Sequence, residues 1–261
     1  MVASFVRSVH SEWLKQRRSL AQWVALAGGL FVPAILFILR TKRAQLLPAM
    51  CASPTFWTTL WAQAWNSMAT VFLQMFIIVA VSVIVQIESR NNAWKQLHAS
   101  PQPLPIIFFA KLTIILLIVA ELFAVFNVGI YVAGVLPALL FSGVGYPVAR
   151  LPVALFVQRN IVYFVDGLPI VAIQYLLALR FRNVMVSIGI GMALWFIAIV
   201  AISSEYNYLM PYGYCAMSWM RESNQVAQRA LPASVPVLAF GCFVAFTAAG
   251  LAVYMTQIDR G

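Results

Sequence analysis

The chain has 261 residues, of which 63% are hydrophobic and only 9% charged, and it carries a formal charge of +10 at pH 7. Uncharged runs of about twenty residues recur along it, more apolar surface than one soluble core can hold, which excludes an ordinary soluble domain. The excess of cations does not point to nucleic acid, because the basic residues are scattered at the ends of apolar runs with no arginine-rich tract; anionic membrane lipids are the partner that fits.

The first segment, 1–20, places Val2, Phe5, Val6, Val9 and Trp13 at helical spacing, while Arg7, Glu12, Lys15, Arg17 and Arg18 avoid that stripe. This predicts an amphipathic helix lying on the inner leaflet, with Glu12, Trp13, Lys15, Arg17 and Arg18 at the interface. Any amphipathic leader before a first span would carry the same pattern, so the residues leave a force-transmitting role undecided. The apolar stretch that follows is long and has no small-x-small cleavage pattern before Arg40, so it is expected to stay as an anchor.

Six runs are long and apolar enough to cross a hydrocarbon layer as helices with their backbone groups satisfied internally. They lie near 21–39, 68–87, 106–140, 160–179, 183–203 and 230–257. The second run is preceded by Pro48, Pro54 and the tryptophans Trp57, Trp61 and Trp65, four residues apart, read as an interfacial helix edging the span. The third is too long for one upright helix and is expected to tilt, ending near Leu140 before an outer loop around Pro147.

An even number of spans puts both termini on one side. With the N-terminus in the cytoplasm, ten Lys and Arg residues fall inside (Arg7, Lys15, Arg17, Arg18, Arg90, Lys95, Lys111, Arg180, Arg182 and Arg260) and seven outside, in the sense that positively charged short loops favour. Tyr206, Tyr208, Tyr212 and Trp219 then fall in an outer stretch, where they read as membrane-interface anchors ahead of cargo contacts.

No motif for covalent chemistry or nucleotide binding is present in the sequence: no G-x-x-x-x-G-K-[ST], no H-E-x-x-H, no G-x-S-x-G. Cys51, Cys215 and Cys242 have no C-x-x-C spacing and no histidine nearby, so inert thiols are expected rather than a metal site. A Cys51–Cys215 pair stays open only in an oxidising compartment. His10 and His98 both fall in polar segments, which gives no support to in-membrane haem ligands. Ser187 and Gly191, four residues apart within a span, suit close helix packing.

Two acids lie inside predicted spans, Glu121 and Asp166. Ionisable groups are costly in hydrocarbon, so with Gln74 and Asn127 they are the candidates for a translocation pathway. For Glu121, a hydrogen bond to another span through Gln74 or Asn127 is an equal alternative, and Asp166 is placed nearer the outer surface beside Arg159. A proton-coupled secondary transporter using Glu121 and Asp166 is the main alternative function. A membrane assembly factor or enzyme is the other, although no acid, base and nucleophile are grouped in one loop.

The polar segment 88–105 stands apart from all this. Trp94 and Leu97 offer an apolar anchor at helical spacing, Glu88, Arg90 and Lys95 a charged rim, and Asn91 or Asn92 a helix cap, the layout of a protein contact. Pro101, Pro103 and Pro105 stiffen the return to the next span, so a displacement would be passed on with little slack. A simple solvated connection is the plain alternative.

Two stretches carry a family likeness. Residues 11–19, Ser-Glu-Trp-Leu-Lys-Gln-Arg-Arg-Ser, resemble the E-x-x-K-x-R-R-S/T segment ahead of the first span of type-2 ABC exporter permeases. Residues 88–101, with E-x-x-x-x-x-W-K-x-L-x-A-x-P followed by Lys111, resemble the same family's first cytoplasmic loop. Residues 168–174, 179–182 and 208–212 are similar to its later spans and outer loop. The nearest look is to bacteriocin and lantibiotic self-protection or multidrug-type permeases.

The resemblance implies an all-α integral membrane protein with six transmembrane helices, an amphipathic interfacial helix and a short cytoplasmic coupling helix. It implies a single permease domain in the bacterial inner membrane, with both termini cytoplasmic. Its partners would be a cytoplasmic ABC ATPase subunit and a second permease copy, as homodimer or heterodimer. This chain would bind no cofactor; ATP and Mg would sit in the partner. Glu88, Arg90, Asn92, Trp94, Lys95, Leu97 and His98 would be the residues resting in a cleft of the ATPase.

Overall fold

The computed structural model describes residues 2–17, 19–90, 103–181, 183–223 and 231–258, and among them there is no strand. Ten α-helices occur among these residues. In chain order they are α1 Val2–Gln16, α2 Leu20–Thr41, α3 Leu47–Cys51, α4 Phe56–Ser67, α5 Leu73–Arg90, α6 Leu104–Leu140, α7 Val153–Arg180, α8 Val184–Val200, α9 Tyr214–Glu222 and α10 Val235–Ile258.

Six segments are long and apolar enough to cross a membrane: Leu20–Thr41, Phe56–Gln86, Leu104–Leu140, Val153–Arg180, Val184–Ser203 and Val235–Thr256. The second joins α4 to α5 through a π-helical turn, Met68–Phe72. The second, third and fourth segments bury most of their residues, whereas α2, α8 and α10 bury less than a third and form the rim. Hydrocarbon is the solvent such a rim suits, because exposed Trp23, Leu30, Phe196, Val200 and Phe240 would be costly in water.

Small residues set the closest helix approaches. Gly29 of α2 sits where a Cβ would lie 2.9 Å from the Leu122 carbonyl oxygen of α6, and Gly28 where it would strike the Phe76 ring of α5. Both glycines let α2 lie flush on its neighbours, as membrane helices do without a hydrophobic force between them.

The tryptophan stripe is inside the bundle and not at its edge, which corrects the interfacial reading. Trp57, Trp61 and Trp65 are all buried. Trp65 stacks on Tyr163 of α7 with ring centroids 4.3 Å apart, and Trp61 stacks on Phe156 at 5.2 Å. A fourth-residue aromatic stripe on one helical face is equally a packing face, and here α6 and α7 supply its partners. Trp57 Nε1 still finds an acceptor, the Ala149 carbonyl at 2.9 Å. Those of Trp61 and Trp65 have none among the described residues.

The outer stretch is corrected in the same sense. Tyr206 is exposed, but Tyr212 and Trp219 are buried, because residues 211–222 fold back into the bundle as a short turn and α9. Trp219 Nε1 donates to Asn66 Oδ1 at 3.0 Å, and Glu222 accepts from Tyr163 at 2.8 Å while pairing with Arg159 at 3.1 Å. The Arg159 guanidinium therefore belongs to Glu222.

α1 docks along α6, with a polar edge turned inward: Ser8, Glu12 and Gln16, one turn apart, are buried. Val6, Trp13 and Leu14 are exposed and Val9 leans on the core. Glu12 pairs with Lys15, and Arg17 is exposed. The apolar stripe is thus split between protein and surroundings, a consequence of giving the polar edge a protein partner. Arg18 lies outside the described residues.

Candidate functional site

Among the described residues, two polar assemblies and a crevice bear on the candidate pathway residues. The first is the π turn. A π turn loosens the helical hydrogen-bond ladder and leaves carbonyls in need of donors. Gln74 Nε2 donates to the Ala69 carbonyl at 2.5 Å, and Trp195 Nε1 of α8 donates to the Thr70 carbonyl at 3.2 Å. Gln74, a candidate for the pathway, is wholly buried and engaged in this backbone repair.

The second assembly joins three spans. Gln174 of α7 places Nε2 2.7 Å from Ser82 Oγ of α5 and 2.9 Å from both the Ser187 carbonyl and hydroxyl of α8. Its Oε1 accepts from the Tyr212 hydroxyl at 3.1 Å. All four residues are buried. Gly191 makes room for the amide, since a Cβ there would collide with Gln174 Oε1. The sequence pattern did not mark Gln174 or Ser82, and it placed Tyr212 at the membrane interface; the signal was an uncharged amide deep in the apolar second half of a span, with serines in two others.

The crevice lies between α4, α6 and α7, has a volume of about 460 Å³ and is open on one side. That is within the ~300–1,000 Å³ of small-molecule sites. Trp57, Trp61, Phe123, Phe156 and Phe164 make its walls, and no charged side chain lines it. Its polar feature is a reciprocal amide pair: Asn127 Nδ2 donates to Asn160 Oδ1 at 2.7 Å and Asn160 Nδ2 to Asn127 Oδ1 at 3.0 Å. The other hydrogen of each amide goes to a carbonyl four residues earlier, Phe123 and Phe156, at 2.7 Å. With its donors used, the pair offers only carbonyl lone pairs to an occupant.

Of the four pathway candidates, Asn127 alone lines the crevice. Glu121, on α6, is half-buried and its Oε2 accepts no hydrogen bond from the described residues; Gln74 Nε2 donates instead to the Ala69 carbonyl, and the Asn127 amide pairs with Asn160. Asp166 is wholly buried in α7, beside Ser218 and Cys215 of α9, rather than shallow beside Arg159. The structure does not gather the four into one site.

Glu88 and Arg90 lie on the last turn of α5. Asn92, Trp94, Lys95, Leu97 and His98 lie outside the described residues. Cys51, Cys215 and Cys242 are free thiols, and no group of metal-ligating side chains occurs among the described residues.

An all-helical bundle with six membrane-length helices, a polar lock between three of them and an uncharged lateral crevice defines a polytopic membrane protein. The profile of the ABC-2 family transporter proteins matches residues 8–200, most of the chain, and the protein belongs to that family. Membership implies a membrane transport subunit that pairs with an ABC ATPase. No curated protein matches the sequence.

Proposed function

We propose that this chain is the transmembrane permease subunit of an ATP-driven exporter, moving an amphipathic or hydrophobic substrate (a peptide, drug or lipid-like molecule) across the bacterial cytoplasmic membrane. The family match over residues 8–200 carries this reading. Both termini are cytoplasmic, two permease copies work together, and ATP and Mg are bound by a separate ATPase subunit.

The crevice supports the substrate class. An aromatic cavity without charged lining favours a hydrocarbon body, and the spare lone pairs of Asn127 and Asn160 suit a hydroxyl or amide donor on it. The position of segment 88–105 supports the coupling. It connects the end of α5 to the start of α6, and both helices run through the middle of the bundle. ATP closes the partner subunits, the segment moves with them, and α5 shifts against α7 and α8, where Ser82, Gln174 and Ser187 meet.

The test isolates the tagged chain from its native membrane and identifies what accompanies it. A P-loop ATPase is expected, and proteoliposomes should accumulate a fluorescent amphipathic cargo only when that ATPase and ATP are both present. Flux driven by a proton gradient in vesicles holding the chain alone would instead establish a carrier working through Glu121 and Asp166, and would overturn the proposal.

A further inference from the structure

Arg40 ends the first span with an arrangement the transport reading does not use. The residue is only 6% exposed. Its guanidinium lies 4.7 Å from the Phe56 ring centroid, and Nη1 donates to the Ala133 carbonyl of α6 at 3.5 Å. Nε and Nη2, the two nitrogens on the other edge of the fork, are buried and donate to no acceptor among the described residues.

No carboxylate pairs with Arg40 among the described residues. The sequence has seven acids, and none falls between Glu12 and Glu88. The neighbouring Cys51 thiol is pushed up by its own burial, stays protonated at neutral pH and supplies no counter-charge. A buried cation with two orphan donors and no anion is costly, and such sites are normally completed by a ligand.

Arg40 lines a cavity of about 100 Å³, together with Ser53, Phe56, Thr59, Leu60 and Gln63. One water needs only about 10–15 Å³ by this kind of measure, so there is room for a tetrahedral anion. Thr59 and Gln63 are exposed at the mouth and offer further donors. Lys42 and Arg43 follow on the same end of the helix, which raises the local potential for anions.

We propose that the Arg40 pocket binds one phosphate-type oxyanion, held bidentately on Nε and Nη2. The planar fork matches two oxygens of such a group, and a membrane lipid headgroup or free phosphate presents the same chemistry. The apolar rim of α2 beside the pocket would accommodate the tails of a lipid.

The experiment uses the full chain in detergent and in nanodiscs. Thermal midpoints are measured with sodium phosphate against sodium chloride at equal ionic strength, and with phosphatidylglycerol against phosphatidylcholine; bound lipid is counted by native mass spectrometry. One retained phospholipid with no response to free phosphate assigns the site to headgroups, and a midpoint raised by phosphate alone assigns it to the free anion. Arg40→Gln should weaken whichever binding is seen by about tenfold or more. Should that variant not fold, Gln63→Glu at the exposed mouth keeps the test decisive. Its carboxylate takes the place of the anion on Arg40, so the basal midpoint should hold or rise while the ligand response disappears. Equal responses in wild type and Gln63→Glu, or no response of the wild type to any of the probes, would overturn the assignment.

Discussion

Inside the bundle the Tyr212 hydroxyl donates to Gln174 Oε1 at 3.1 Å, tying the stretch after the fifth span to the second half of the fourth. The same amide reaches α5 and α8 through Ser82 and Ser187. One side chain therefore registers three spans and the segment that folds back after the fifth. In hydrocarbon no water is at hand to replace those contacts, so each freed partner must find another or stay unsatisfied.

Gln174→Leu keeps the volume and removes the amide. It should lower stability by about 1–3 kcal/mol, the cost of leaving buried polar groups unsatisfied, read as a lower thermal midpoint in detergent. Tyr212→Phe should then cost little more in that background than its partner has already lost, and additive effects would separate the two residues. Gly191→Ala should be harmful in the wild type, because its Cβ meets Gln174 Oε1 and Ile78, and milder in Gln174→Ala, where the amide is gone.

The Trp65–Tyr163 stack gives a second test. Trp65 is wholly buried, and its removal leaves a cavity bounded by Tyr163, Phe123 and Phe126. Trp65→Ala should cost about 3–5 kcal/mol. Trp23→Ala, at a position 62% exposed on α2, should shift the midpoint far less. An interface-anchor role for the stripe predicts comparable, small effects for both.

The six spans were legible because their signal is compositional: length and lack of charge suffice to place a helix in hydrocarbon, and the spans read near 21–39 and 106–140 lie within Leu20–Thr41 and Leu104–Leu140. What composition does not carry is which face meets protein. Trp57, Trp61 and Trp65 have the residue type of an interface belt and the spacing of a packing face, and only the positions of α6 and α7 decide between them. Tyr212 and Trp219 were misplaced for the same reason, since a polar stretch of about thirty residues gives no sign that part of it turns back inward.

The pathway residues divide along another line. Glu121, Asp166 and Gln74 stood out by being polar inside spans, but polarity in a helix is also answered locally, as Gln74 answers the Ala69 carbonyl five residues back. Asn127 reached the crevice because Asn160 sits opposite on α7, a pairing between spans that no spacing within one helix reports. The Gln174 lock depends likewise on residues far apart in the chain.

Filling the crevice separates transport from folding. Ala124 is exposed on the crevice wall, so Ala124→Trp should occupy the cavity from its open side without disturbing the core. Cargo flux should fall about tenfold or more for a loss near 1.4 kcal/mol of binding, with the thermal midpoint and ATPase association unchanged. At the amide pair, Asn127→Leu alone strands an Asn160 donor and should destabilise by about 1 kcal/mol or more, whereas Asn127→Leu with Asn160→Leu removes both partners and should recover part of that loss. Undiminished flux in Ala124→Trp would take the crevice out of the transport route.

Segment 88–105 is tested by its partner. An exposed contact anchored by one tryptophan and edged with charge loses most of its affinity when the anchor is cut, since a few buried aromatic residues dominate such interfaces. Glu88→Lys together with Trp94→Ala should release the ATPase from the purified complex and abolish ATP-driven flux. The thermal midpoint of the permease itself should stay where it was, because Glu88 closes α5 at its end and Trp94 lies beyond it. The readout is the ratio of ATPase to permease after affinity purification. A ratio equal to that of the wild type would place the ATPase contact elsewhere, and a fall in the permease's own midpoint would make 88–105 part of the packed bundle instead of a docking surface.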